Sequence, residues 1–393
     1  MAKTLDGTAI FTDATLPPRS LRAVSTLRLV LGLTALLGAI VFLEGTSWDI
    51  QWHTFIGRDR TLIPPHLMML SGVALSGISG LLAVLIESWW ARRNTLIAQC
   101  GVGFAEIFSG PLGAYIVGFT ALTAAAAFPL DAYWHALYGI DVAIWAPFHI
   151  MFIASMGLVA LGAAYMLSSA AHLAIKLGVA GRGTRRAATL GVVLALATVL
   201  SLFTLLLFDA MSGEHVLTLG AMSLSVFPLL SGLLVAFTLV TAAYAFPWRW
   251  ATTLVSVCYL ALAGIMALFV QPATDWLLTV EHLRYRQAPP GTSIIALRWF
   301  LTPLVVALLI DIITRRARRK QWSQRKLILF LAPTALLSGV LPIMLSYPLL
   351  PAVLPLQLGI DGYLASVLLG LAGTYVGILF GRNVSKSLES LER

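Results

Sequence analysis

WDIQWHTFIGRDRTLIPPHLMM (Trp48–Met69) gathers two His, two Asp and two Arg into one short stretch of an otherwise apolar chain. LDAYWHALYGIDVAIWAPFHIMF (Leu130–Phe152) nearly repeats it. Each stretch lies between long apolar runs, so each reads as the polar turn of a helical hairpin. The rest of the chain fixes the medium in which those hairpins sit. Hydrophobic residues make up 59% of the 393 and charged residues 11%, against roughly 45–50% and 25% in a soluble domain. Apolar runs of this length span a hydrocarbon core of about 30 Å as helices, which satisfy their own backbone hydrogen bonds. Unbroken runs exclude the alternating pattern of a membrane barrel.

The expected fold is all-α, a single integral membrane domain over residues 1–393. Ten spans are expected: Leu27–Glu44, Pro65–Ile86, Ala98–Phe128, Pro147–Ser169, Ala187–Phe208, Leu217–Phe246, Ala251–Val270, Ile294–Ile313, Leu327–Leu350 and Tyr363–Phe380. Residues 27–89 and 98–171 form two hairpins that carry the quoted stretches, and residues 187–381 hold six further helices. The third and sixth spans are overlong and contain Pro111 and Pro228, which implies a tilt, a kink or a later start.

Lys and Arg stay on the cytoplasmic side. Alternate loops and the tails hold 21 of the 26 basic residues, including the run from Arg315 to Lys326. Both termini are therefore expected in the cytoplasm. The net charge of +9 is mostly this topological bias and needs no nucleic acid. The first span, with a long segment before it and no small-residue cleavage pattern after it, reads as a retained signal anchor. Cys100 and Cys258 fall within or beside spans and suggest no disulfide.

On this topology six of the seven His (His53, His66, His135, His149, His215, His282) fall on the outer face, along with most of the acids. His172, near the inner end of the fourth span, receives no role. The two quoted stretches share an order: Asp49/His53/Gly57/Asp59/Pro65/His66 and Asp131/His135/Gly139/Asp141/Pro147/His149. Trp52 and Trp134 precede the first His of each. Such repetition suggests an internally duplicated hairpin. Asp and His at i and i+4 share one helix face. Gly then breaks the helix, Pro opens the next, and the second His returns toward the same pair. Asp59 and Asp141 are placed to cap that next helix or to hydrogen-bond a His ring.

Two His and one carboxylate converging at a hairpin end make a metal site with an open position. Iron(II), zinc and copper suit these ligand types about equally. The alternative is a His–Asp ion pair that fixes each hairpin without metal.

D-x3-H-x12-H (Asp49, His53, His66) resembles the metal motif of the C subunit of the copper membrane monooxygenases, the particulate methane and ammonia monooxygenases. In that family N-x3-H-x13-H follows, and this chain has D-x3-H-x13-H as Asp131, His135 and His149. The resemblance covers only the two motifs and departs from the family by an Asp for the Asn. Ten spans exceed the family subunit's number. It implies copper, oxygen chemistry on a small or lipophilic substrate, and additional membrane or periplasmic subunits. A bacterial or archaeal cytoplasmic membrane is the expected location, with the metal sites on the outer face that the Lys and Arg distribution gives them.

Weaker signals complete the reading. Glu106 in GFAEIFSGPLG is expected within a span, where an acid marks a proton or ion path or a hydrogen-bonded packing role. QPATDWLLTVEHLRYRQAPPGT (Gln271–Thr292) is expected to form a surface helix bearing Trp276, His282 and Tyr285, either over the site as a lid or along the membrane interface. Met68, Met69, Met151 and Met156 follow the second His of each copy, where thioethers suit Cu(I) but core packing is the commoner role. Two functional classes use the same ligands. One is a copper-dependent oxidoreductase. The other is a metal carrier or transporter, which needs ligands continuing across the membrane, and only Glu106, Cys100 and Cys258 stand in the inner half. Haem between His pairs is a third reading, against which the carboxylate at i−4 of each first His argues.

Overall fold

A computed structural model of the chain describes residues 18–57, 62–139, 143–176, 182–211, 216–220, 222–349 and 358–390. It is helical almost throughout. The helices are α1 (Pro18–Phe55), α2 (Pro64–Ala91), α3 (Thr95–Gln99), α4 (Leu112–Tyr138), α5 (Pro147–Lys176), α6 (Arg182–Met211), α7 (Phe227–Ala245), α8 (Ala251–Glu281), α9 (Ile294–Leu297), α10 (Thr302–Arg319), α11 (Gln324–Leu349) and α12 (Ile360–Ser390). Two antiparallel hairpins interrupt them: β1 (Val102–Phe104) with β2 (Phe108–Gly110), and β3 (Val216–Leu219) with β4 (Met222–Ser225).

Among the described residues nine helices are long and apolar enough to cross a membrane. The eighth expected span corresponds to α10, which starts at Thr302 after the separate turn α9. Its last turns carry Arg315, Arg316, Arg318 and Arg319, which leaves too short an apolar run to join the nine.

The third and sixth expected spans also start later than drawn. Residues before Pro111 and Pro228 form the two β hairpins, and the prolines stand at the N-termini of α4 and α7 instead of kinking longer helices. Glu106 is corrected accordingly. It is exposed at the turn between β1 and β2, where Ala105 and Glu106 have φ of 50° and 61°, and no span contains it. A left-handed pair of residues turns the chain back and cannot continue a helix.

Helices α1, α2, α4 and α5 form a closed ring: α1 packs on α2 and α5, and α4 packs on α5 and α2. Both hairpins of this ring cross at glycines. A Cβ on Gly72 would strike the carbonyl oxygen of Gly38, and one on Gly113 that of Gly162, so backbones approach directly where no hydrophobic force from water drives helices together. The same device joins α7 and α12, where Gly373, Gly377 and Gly381 lie against the carbonyls of Leu229, Leu233 and Phe237.

At the ring's end opposite the quoted stretches, Arg28 is buried in α1. Its Nε donates to Glu87 Oε1 at 2.8 Å and its Nη2 to Glu87 Oε2 at 2.7 Å, with both side chains at most 2% exposed. Further donations reach Ser169 Oγ and the Cys100 carbonyl. One guanidinium thus ties α1, α2, α5 and the end of α3, and each polar atom it buries has a partner. Asp311 of α10 is buried for a related reason: it accepts from the N–H groups of Thr252 and Thr253, capping α8 from another helix.

Removing one partner of such a pair strands the other charge, at a cost of about 3–5 kcal/mol. Arg28→Met is expected to lower the thermal midpoint in detergent sharply, while Arg28→Met with Glu87→Met recovers most of the loss. An equal fall in single and double variants would place the stabilisation in the Ser169 and Cys100 contacts instead.

Candidate metal centre

Asp49 and His53 occupy the last two turns of α1. The helix stops at Phe55, and Gly57 at φ +68° turns the chain. Pro64 and Pro65 open α2, which places His66 in its first turn. In the second stretch α4 carries Asp131 and His135 near its end, and Gly139 at φ +85° terminates it with its N–H on the His135 carbonyl at 3.0 Å. Pro147 starts α5 and puts His149 in the first turn. Glycine relieves the left-handed conformation at both stops, and proline suits both starts because the first helical N–H has no intrahelical partner.

The three side chains of each stretch converge. His66 Nε2 lies 3.0 Å and His53 Nε2 3.4 Å from Asp49 Oδ1. His135 Nε2 lies 3.4 Å from Asp131 Oδ2, and His149 Nε2 3.4 Å from Asp131 Oδ1. Within each triad one ligand atom from every residue lies within 4.8 Å of the others. The paired rings are tilted, with centroids 5.8 Å apart for His53 and His66 and 5.6 Å for His135 and His149.

The second triad shows which nitrogen faces inward. His135 Nδ1 is 3.1 Å from the Gly139 carbonyl and His149 Nδ1 is 2.8 Å from the Ala143 carbonyl. A carbonyl only accepts, so each Nδ1 carries a proton, and a neutral ring then turns the Nε2 lone pair toward Asp131. Lone pair and carboxylate repel unless a cation stands between them. Asp49 Oδ1 and Asp131 Oδ1 are buried, with an imidazole Nε2 3.0 Å from the first and 3.4 Å from the second. Metal–ligand bonds of about 2.0–2.1 Å at tetrahedral or right angles set ligand atoms roughly 2.9–3.4 Å apart, which is the spacing of Asp to His in both triads. The residues therefore fit a metal ion. The backbone carbonyls of Gly139 and Ala143 fix the rings, a task the sequence suggested for the Asp after each glycine.

Both triads line one cavity of about 60 Å³, whose other walls include Phe42, Thr46, Met69, Ile144, Phe152 and Ile153. Sequence spacing assembled each triad, but it did not show that the two share a chamber. Phe128 meets His66 edge to face at 5.9 Å and Phe152 at 6.2 Å, closing the second hairpin onto the first. Met156 is fully buried core, so of the four methionines Met69 is the one that lines the cavity.

Other expected site residues fall elsewhere. Asp59, Asp141 and His215 lie outside the described residues. His282 is exposed and caps the C-terminus of α8 in a left-handed conformation, and it does not line the cavity. The expected surface helix is instead the end of α8, which runs through Pro272 and Trp276 to Glu281. The segment after it straps the end of α1. Arg286 N–H donates to the Phe55 carbonyl at 2.9 Å, Gln287 Nε2 to the Thr54 carbonyl at 3.0 Å, and the Arg286 guanidinium lies over Gly57. Behind it Gln51 Nε2 donates to Gln271 Oε1 at 2.7 Å. Gln271 Nε2 donates to the Tyr285 hydroxyl at 2.8 Å, and that hydroxyl donates to Asp275 Oδ1 at 2.6 Å. Burial and the adjacent Asp275 carboxylate push the Tyr285 phenol up from its ordinary pKa, so it remains a donor. These residues hold the helix end that carries Asp49 and His53. The i, i+4 pair Gln271 and Asp275 was the one local hint of them.

Compared with known proteins, the chain matches no family model, no curated protein and no solved structure.

Asp131 offers one oxygen to each His of its triad, so its loss should be specific. Asp131→Asn, which leaves one oxygen ligand in place, is expected to keep metal in the second triad, whereas Asp131→Ala lowers its retention for every metal. Unchanged metal content in both variants would return this hairpin to a purely structural role.

Proposed function

We propose that the chain is a membrane metalloprotein whose two Asp-His-His triads each hold a transition-metal ion, copper foremost, and that it acts as a copper-dependent oxidoreductase on a small or lipophilic substrate. The observation that carries this reading is the shared cavity. Two carboxylates and four imidazoles line a chamber of about 60 Å³, and two cations balance that donor set better than any arrangement of protons between neutral rings. The choice of copper rests on the motif resemblance, since the ligand types suit iron and zinc as well.

The chain's own residues define what the site would do. Asp49, His53 and His66 hold one ion, and Asp131, His135 and His149 the other. Copper bound there would supply one-electron chemistry and oxygen activation. Phe42, Ile144, Phe152 and Ile153 keep water out and admit little beyond a small apolar molecule or the reacting end of a larger one. Low polarity around the ligands strengthens every charge interaction inside. The Nδ1 hydrogen bonds of His135 and His149 hold the rings, which would leave each Nε2 available to a bound ion.

The matched order of the two hairpins supports an internal duplication, and the distribution of Lys and Arg supports cytoplasmic termini with the triads on the outer face. A carrier would need further ligands along the membrane. Among the described residues the two triads are the groups of three such side chains, and Glu106 sits on an exposed turn, which favours the oxidoreductase.

The test is oxygen uptake by copper-loaded protein given a reductant. Uptake is expected with copper, absent with zinc, and reduced at least about tenfold by His53→Ala, the scale of losing a metal ligand's support. Full copper binding without oxygen uptake under any reductant would point to the carrier.

A further inference from the structure

At the end of the bundle opposite the triads lies a cavity of about 640 Å³ that the metal chemistry does not use. Four elements build it: α5 supplies Ser168 and His172, the first turns of α6 supply Arg185, Arg186 and Thr189, the link after α7 supplies Phe246 and Trp248, and α12 supplies Leu388. We propose that this cavity binds the phosphodiester headgroup of an anionic membrane phospholipid, with Arg185, Arg186 and His172 as its recognition residues.

Charge is the first argument. Two guanidinium groups and an imidazole line the cavity and, among the described residues, no carboxylate does, so the described side chains there set no like charge against an anion. Among the described residues neither Arg185 nor Arg186 has an ion-pair or hydrogen-bond partner for its side chain. His172 is only 5% exposed, so its ring forms part of the buried wall beside the two cations. Arg presents planar donors that match phosphate oxygens.

Shape and setting select a lipid over a soluble anion. The rest of the lining is largely apolar, with Leu190, Val192, Ala245 and Phe246, and Trp248 stacks on Phe246 at 4.8 Å with 15° between planes. Leu190 is 57% exposed, in a helix long and apolar enough to span the membrane, so a lipid whose headgroup sat in the cavity would find an apolar surface for its chain beside it. A volume within the range of small-molecule sites, roughly 300–1,000 Å³, accommodates a headgroup with its glycerol. Indole beside cations at a helix end is the side-chain pairing of a membrane interface. A basic pocket between helices on the Arg-rich side is where anionic headgroups are held.

The experiment uses the full chain, delipidated in neutral detergent. Retention of phosphatidylglycerol and of phosphatidylcholine is read by native mass spectrometry, with inorganic phosphate as competitor. Phosphatidylglycerol is expected to bind at least about tenfold tighter than phosphatidylcholine. Arg185→Gln with Arg186→Gln is expected to remove about that preference, at roughly a factor of five per cation. Arg315→Gln with Arg316→Gln, an equal charge loss elsewhere on the same side, is expected to leave binding as in the unaltered chain, and all variants should keep their metal content. Equal retention of the two lipids, an equal loss in both double variants, or displacement by millimolar inorganic phosphate would each overturn the proposal, the last by showing a site for a free anion.

Discussion

Two carboxylates lining one small chamber are the constraint on which the rest of this structure depends. Asp49 and Asp131 bring like charge into about 60 Å³ together with four imidazoles. Taking one carboxylate out of water costs several kcal/mol, and a second nearby makes the cost larger. Metal cations would compensate it, and the rings of the second triad already spend their Nδ1 protons on backbone carbonyls. Imidazolium rings would neutralise the charge too, as His–Asp ion pairs at the 3.0–3.4 Å separations these side chains adopt.

Holding that chamber closed is the work of the ring of α1, α2, α4 and α5. Gly38 with Gly72, and Gly113 with Gly162, let each hairpin cross closely, so the triads sit at the ends of stiff, tightly packed pairs. The bidentate Arg28–Glu87 pair fixes the far end of the ring. The strap of Arg286 and Gln287 fixes α1 at the near end, just past His53. A helix anchored at both ends places its ligands with little freedom, which is what a metal or a reacting molecule requires of its surroundings.

Much of the site was legible because its signals are local. An Asp and a His four apart, a glycine stop and a proline start are all properties of a few consecutive residues, and each triad closes across a single turn. What escaped the sequence is what distant segments decide. Hydropathy could not separate the β1–β2 and β3–β4 hairpins from the helices that follow, because their residues are nearly as apolar as a span, and Glu106 was misplaced for that reason. Pro111 and Pro228 were the correct marks of helix starts, yet a kink gives the same local pattern. Arg28 looked like one more cytoplasmic cation until Glu87, on another helix, supplied its partner. His172 carried no local motif, and only the meeting of α5, α6 and α12 gives it a setting. The union of two triads in one chamber depends on the packing of α1 on α5 and α2 on α4, which no spacing encodes.

Metal analysis combined with X-ray absorption on the purified, folded chain addresses the central claim most directly. Two ions per chain are predicted, each with nitrogen and oxygen neighbours at about 2.0–2.1 Å and no sulfur in the inner coordination sphere. Folded protein that takes up no copper, iron or zinc when each is offered would contradict the account and leave the triads as His–Asp pairs that fasten two hairpins.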